Sequence, residues 1–172
     1  MNIICVPKQA IINVVVSQEN LKFINGNWAL ISIIESVERP FLNPQRESIL
    51  SQLNCKAILK LIFSDIKPSY NHEDEILFNK DHARQIISFV NNLKEIDTLV
   101  IHCHAGVSRS GAVGVFLAKY LNVDFEKFKE ENKNISPNEY ILDLLMEESN
   151  SKFEIEPFWN KPLTDSIFTL WE

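Results

Sequence analysis

Short apolar runs alternate along the chain with stretches whose apolar residues recur at helical spacing. Residues 11–16 (Ile-Ile-Asn-Val-Val-Val) and 29–34 (Ala29 to Ile34) predict two buried strands. Between them Ser17 can cap a short helix that Gly26 ends, and a second helix is expected near 44–53. Residues 56–63 predict the next strand, followed by a polar loop from Ser64 to about Glu75 that contains Pro68. Ala83, Ile86, Ile87, Val90 and Leu93 fall on one face of a helix over 78–93. Asp97 to His102 is a further strand, centred on Thr98-Leu99-Val100-Ile101. Residues 108–121 are apolar nearly all round, which suits a helix in the middle of a fold. Another helix starts near Asp124, and a last one opens at Ser136-Pro137-Asn138-Glu139, read as a capping box with proline at the first helical position. The final 20 residues, with Trp159 and Trp171, have no clear period and read as a strap on the domain or a flexible tail. The alternation argues for an α/β architecture, with one domain over 1–150 and a C-terminal extension over 151–172.

Composition narrows the classes. At 172 residues the chain suits one domain with a substantial core, and 45% hydrophobic with 23% charged residues is ordinary for a globular protein. A net charge of −6 without a Lys/Arg cluster argues against a nucleic-acid partner. The carboxylates Glu147, Glu148, Glu154, Glu156, Asp165 and Glu172 read as a solvated face. No stretch approaches the roughly 18 apolar residues of a membrane span, and Pro7, Lys8 and Gln9 break the apolar N-terminus, which argues against a signal peptide. Cys5, Cys55 and Cys103 are odd in number and widely spaced, so they suit neither a disulfide framework nor a zinc site. Reduced thiols point to the cytoplasm. The Ile- and Asn-rich, Gly-poor composition suits an A/T-rich bacterial genome.

The chemistry concentrates in His102-Cys103-His104-Ala105-Gly106-Val107-Ser108-Arg109-Ser110-Gly111, which follows a strand and opens a helix. A sharp strand-to-helix turn aims several backbone N–H groups into one concavity, and the positive helix end adds to its affinity for an anion. Gly106 permits a backbone conformation that a Cβ resists. Arg109 can hold two oxygens of a tetrahedral anion with its planar fork. Cys103 lies under the same field, a setting that favours thiolates. Three of the four glycines, Gly106, Gly111 and Gly114, fall in this short stretch. Cys5 and Cys55, by contrast, read as small buried hydrophobes.

The pattern His-Cys-x-x-Gly-x-x-Arg-Ser resembles the phosphate-binding loop of protein-tyrosine and dual-specificity phosphatases, and the resemblance extends over roughly residues 29–147. In element order, and in the Ser-Pro-Asn opening of the last helix, the chain is similar to a small bacterial branch of that superfamily. The resemblance implies a central, mainly parallel sheet flanked by helices, a phosphocysteine intermediate, and no metal or other cofactor. It implies that Cys103 is the nucleophile and that residues His104, Ala105, Gly106, Val107, Ser108 and Arg109 bind the phosphate of a phosphorylated protein or small phosphoester.

Such an enzyme needs a general acid, and Asp65 is the candidate. It lies just past the strand 56–63, as Cys103 lies at the end of the strand 97–102. Parallel strands joined by a right-handed crossover end on the same edge of a sheet, where ligands bind. Asp65 could instead only start a turn before Pro68; Asp74, Glu73 and Asp81 are then the alternatives. By the same resemblance His102 supports the loop, Ser110 either donates toward the sulfur or caps the helix, His104 tunes substrate choice at the mouth, and Asn138 braces the loop. His72 and His82 read as surface residues. Lysines that would meet extra phosphates are absent from the loop, which argues against a phosphoinositide substrate. A sulfurtransferase or arsenate reductase shares the Cys-x5-Arg spacing, but Cys5 and Cys55 show no suitable pairing for the latter. A non-catalytic phosphoprotein-binding module is the reading from outside enzymology.

Overall fold

A computed structural model describes residues 1–16, 24, 26–35, 47–66 and 75–153. Four parallel strands form the sheet: β1 (Asn2–Pro7), β2 (Trp28–Ile34), β3 (Ala57–Ile62) and β4 (Thr98–Cys103), in the order β1-β4-β2-β3. Every residue of β2 and β4 is buried, as expected for parallel strands covered on both faces. Alternate residues feed two cores. Ile3, Ala29, Ile31, Ile33, Leu99 and Ile101 face one side, with helices α2 (Lys80–Asn92), α3 (Arg109–Tyr120) and α5 (Glu139–Ser149). Ile4, Val6, Trp28, Leu30 and Val100 face the other, with α1 (Lys8–Val16) and a helical turn at 47–51. The short α4 (Phe125–Glu131) is held on the first side by buried Phe128.

Two expectations are corrected. Residues 11–16 are not a strand but the body of α1, and the first strand is Asn2–Pro7. The β-branched run costs a helix no more than about 0.7 kcal/mol per residue. Packing of Ile11, Ala10, Val14 and Val15 into the second core outweighs that. Meanwhile β1 takes the free edge of β4, in register from Asn2↔Thr98 to Pro7↔Cys103. Pro7 removes no ladder donor that matters, because it is the strand's last residue. The second correction is at the start of α5. Its cap is Asn138, whose side chain accepts the N–H of Ile141, so Ser136 and Pro137 lie outside the helix. Their stretch is spent on the loop before α3: Ser136 N–H donates to Val107 O and Asn138 N–H to Ser108 O.

The other expected strands and helices fall within a few residues of their places, and Asp124 caps α4 by accepting the N–H of Lys127. The helix expected between Ser17 and Gly26 and the segment with Trp159 and Trp171 lie outside the described residues. Asn132, buried at the end of α4, seals the edge strand: its Oδ1 accepts the N–H of Cys5 at 2.7 Å and its Nδ2 donates to Ile3 O at 2.9 Å.

Candidate active site

All four strands end on one edge of the sheet, and the loop from Cys103 to Arg109 lies on that edge. β1 backs it. Gly106 has φ +76°, and a Cβ there would sit 2.5 Å from Pro7 N and Val6 C, so only glycine fits. Lys8 N–H donates to His104 O at 3.1 Å, which ties the loop to the first turn of α1. His104 and Ala105 are exposed, whereas Cys103 and Arg109 are each only 2% accessible.

Cys103 Sγ lies 3.2 Å from Ser110 Oγ. Of the two readings of Ser110, the geometry therefore has the hydroxyl at the sulfur, and the N-cap position of α3 belongs to Ser108. His102 points to the opposite face of the sheet from Cys103, as strand alternation requires. There its Nε2 meets Ser32 Oγ at 2.7 Å, across the register pair Ser32↔His102.

Arg109 is clamped beneath the loop. Its NH1 donates to Phe63 O at 3.1 Å and its NH2 to Glu35 Oε1 at 2.5 Å. Its Nε is buried with no hydrogen-bond partner among the described residues. Two donors fix the plane of the guanidinium and a third is left unspent. A buried donor without an acceptor costs about 1–3 kcal/mol, which an oxyanion at the loop would relieve.

Asp65 lies just past β3 on the same rim. Its Oδ1 accepts from Ser108 Oγ and from Asn138 Nδ2, each at 2.8 Å. The carboxylate, the thiol and the guanidinium are thus gathered by one loop. Of the alternative acids, Asp81 is exposed in the first turn of α2 and pairs with Arg84 at 3.1 Å. Residues 73 and 74, and His72, lie outside the described residues.

Glu35 was not singled out by sequence reasoning. The signal was available: it follows β2 as Asp65 follows β3, so the same edge logic applies. His82 is also corrected. It is not a surface histidine but half-buried, tilted against Phe63 at 5.3 Å between ring centroids and stacked on Phe78 at 5.6 Å. Its Nδ1 accepts the N–H of Asn79, completing the capping box of α2. Burial holds its imidazole below the usual value of 6.5, against the opposing pull of Asp81. Burial likewise pushes the thiols of Cys5 and Cys55 up. Cys5 Sγ donates to Ser110 O at 3.2 Å and lies under Gly114, where a Cβ would come within 2.6 Å of the sulfur.

Fold and site together define a parallel α/β protein whose edge loop carries a buried thiol and a buried guanidinium, a pairing suited to an oxyanion. No protein-family model matches the chain. It is 36% identical over 58 residues to the "Putative tyrosine-protein phosphatase AMV078" of Amsacta moorei entomopoxvirus, a stretch covering 31% of this chain and 34% of that one. The chain thus spans about a third of the length of the curated relative it matches. Among solved structures it is similar to the human tyrosine phosphatase-like serine/threonine/tyrosine-interacting protein, with TM-score 0.48, 20% identity, and coverage of 73% of this chain and 78% of that one. It is similar to PTPMT1 in complex with PI(5)P, with TM-score 0.49, 16% identity and coverage of 87% and 90%. It is also similar to the Cydia pomonella PTP-2 phosphatase, with TM-score 0.49, 16% identity and coverage of 91% and 90%.

Proposed function

We propose that this protein is a cysteine-dependent phosphatase that hydrolyses phosphomonoesters through a phosphocysteine intermediate, with phosphotyrosine in proteins as the preferred substrate. The observation that carries the reading is the buried guanidinium of Arg109, with two N–H groups fixed by Glu35 and Phe63 and its Nε without a partner among the described residues, in the same loop as the buried thiol of Cys103. A thiol and a clamped cation at one oxyanion cradle suit attack on phosphorus better than simple retention of an anion. The choice of phosphotyrosine leans on the 58-residue similarity to a tyrosine-protein phosphatase and on the absence of lysine from the loop.

In the first step the thiolate of Cys103 attacks phosphorus and an S–P bond forms as the ester P–O bond breaks. The departing oxygen takes a proton from Asp65. Arg109 and the loop N–H groups hold the equatorial oxygens, where charge develops. In the second step water attacks phosphorus, its proton passes to Asp65, and the S–P electrons return to Cys103, beside the Ser110 hydroxyl. Inorganic phosphate then leaves. The protein contributes position and fixed charge.

The test is hydrolysis of p-nitrophenyl phosphate and of phosphotyrosine and phosphoserine peptides by the purified full chain, with EDTA present. The expected result is metal-independent turnover that Cys103→Ser abolishes, with phosphotyrosine favoured. Turnover that survives Cys103→Ser would overturn the mechanism. A folded wild type that binds phosphopeptide without hydrolysing it would instead be a binding module.

A further inference from the structure

Ser108 occupies the N-cap position of α3 but caps nothing. Its backbone is already helical, with φ −90° and ψ −70°, and its side chain makes no cap hydrogen bond. The hydroxyl goes instead to Asp65 Oδ1. Asn138 Nδ2 reaches the same oxygen from the start of α5. Both donors are themselves anchored. Ser108 O accepts the N–H groups of Ala112 and Asn138, at 2.8 and 3.4 Å, and Asn138 Oδ1 accepts the N–H of Ile141 at 3.3 Å. Asp65 is exposed and lies outside any strand or helix, so left to itself it would sample many positions. Here two rigid helix starts grip one of its oxygens.

We propose that Ser108 and Asn138 are positioning residues that hold Asp65 in its working place before substrate arrives, and that they assign its proton to Oδ2. The inference rests on the phosphatase reading above. An oxygen that already accepts two hydrogen bonds is a poor place for a proton, because an O–H there would face the Asn138 amide, which can only donate, and would force the Ser108 hydroxyl to turn round and accept. The proton therefore sits on Oδ2, leaves from it to the ester oxygen in the first step, and returns to it from water in the second. Ser108 was expected among the phosphate-binding residues. Its backbone N–H keeps that option, while its side chain serves the acid. The benefit is preorganisation: general-acid catalysis is worth about 10²–10⁴-fold only when the acid is within reach of the leaving oxygen.

The leaving group gives a readout that a merely structural role would not move. p-Nitrophenolate leaves without much help from an acid, whereas phenolate needs the proton. Ser108→Ala removes one donor. Asn138→Asp removes the other while keeping an oxygen able to cap α5, since aspartate is among the best N-cap residues. For each variant, kcat/KM is measured on phenyl phosphate and on p-nitrophenyl phosphate, with competitive inhibition by orthophosphate and a circular-dichroism spectrum as controls. The expected result is a phenyl-to-nitrophenyl ratio about tenfold lower in each variant, within the ceiling set by general-acid catalysis. Ser108→Ala should leave orthophosphate inhibition within about twofold, the span expected if no hydrogen bond to the anion is lost. In the Asp65→Asn background neither change should lower the ratio further, as expected for residues acting through one group. An unaltered ratio, or an equal loss on both substrates, would overturn the positioning role while leaving the phosphatase reading intact. A folded wild type inactive on both substrates would overturn the phosphatase reading and this inference with it. If Asn138→Asp fails to fold, Ser108→Ala and Asn138→Ser decide the matter by the same ratio.

Discussion

The grip of Glu35 on Arg109 can be tested by graded removal. The side chain of Arg109 is 3% accessible and that of Glu35 33%, so the pair is buried at the cation and open at the anion. Glu35→Gln keeps an oxygen in place and removes the charge. The guanidinium keeps its own charge, so the substitution removes only the ion-pair part of the contact, between the roughly 0–1 kcal/mol of an exposed pair and the roughly 3–5 kcal/mol of a buried one, and should cost about 1–1.5 kcal/mol. Glu35→Ala removes the acceptor altogether and leaves a buried guanidinium held, among the described residues, by Phe63 O. Breaking a fully buried pair costs about 3–5 kcal/mol, and partial exposure of Glu35 lowers this to about 2–3 kcal/mol. If between half and all of that energy serves to aim the guanidinium, kcat/KM falls about threefold to tenfold for Glu35→Gln and about tenfold to a hundredfold for Glu35→Ala, at 1.36 kcal/mol per factor of ten. The assay is p-nitrophenyl phosphate hydrolysis with orthophosphate inhibition, and a urea melt separates the loss of function from the loss of stability. Wild-type kcat/KM and inhibition in Glu35→Ala would refute the reasoning, because Phe63 O alone would then suffice to orient Arg109.

Two further outcomes are expected. Gly106→Ala should destabilise the protein by more than the roughly 1–2 kcal/mol of a left-handed residue bearing a Cβ, since the clash is with backbone of β1, and should abolish hydrolysis; a melt with a wild-type midpoint would count against the account of the loop. His82 is held neutral by burial, so its folded pKa lies below its unfolded one, and the stability it contributes is present above about 6.5 and shrinks as pH falls through that value toward the folded pKa. Thermal melts from pH 8 to pH 5 should therefore show a drop in Tm that is smaller in His82→Gln, and an identical pH dependence in the two proteins would exclude His82 as a contributor.

Several parts of this protein were legible residue by residue. The run from Cys103 to Arg109 announced itself because one short loop holds a cysteine, an arginine and a glycine at fixed offsets, and because glycine is otherwise almost unused. Helices α2 and α3 were legible because their apolar residues are numerous and periodic, and β2 and β4 because strands buried on both faces are continuous apolar runs. The place of Asp65 on the rim followed from the handedness of crossovers.

What the chain could not reveal by itself was every choice between equal local options. The residues 2–7 and 11–16 are both apolar and β-branched, and only the vacant edge of β4 made the first a strand and the second a helix. Ser136 and Asn138 are both good caps; the hydrogen bonds of Ser136 and Asn138 to the loop before α3 decided that Asn138 starts α5. Phe63 and the end of β1 lie far from Arg109 and Gly106 in sequence, and no spacing rule links them; the strand-end logic puts Glu35 on the rim but not its carboxylate on the guanidinium. Local propensity differences of a few tenths of a kcal/mol specify which residues can play a part. Burial of long-range partners, at about 1 kcal/mol or more per contact, specifies which of them do.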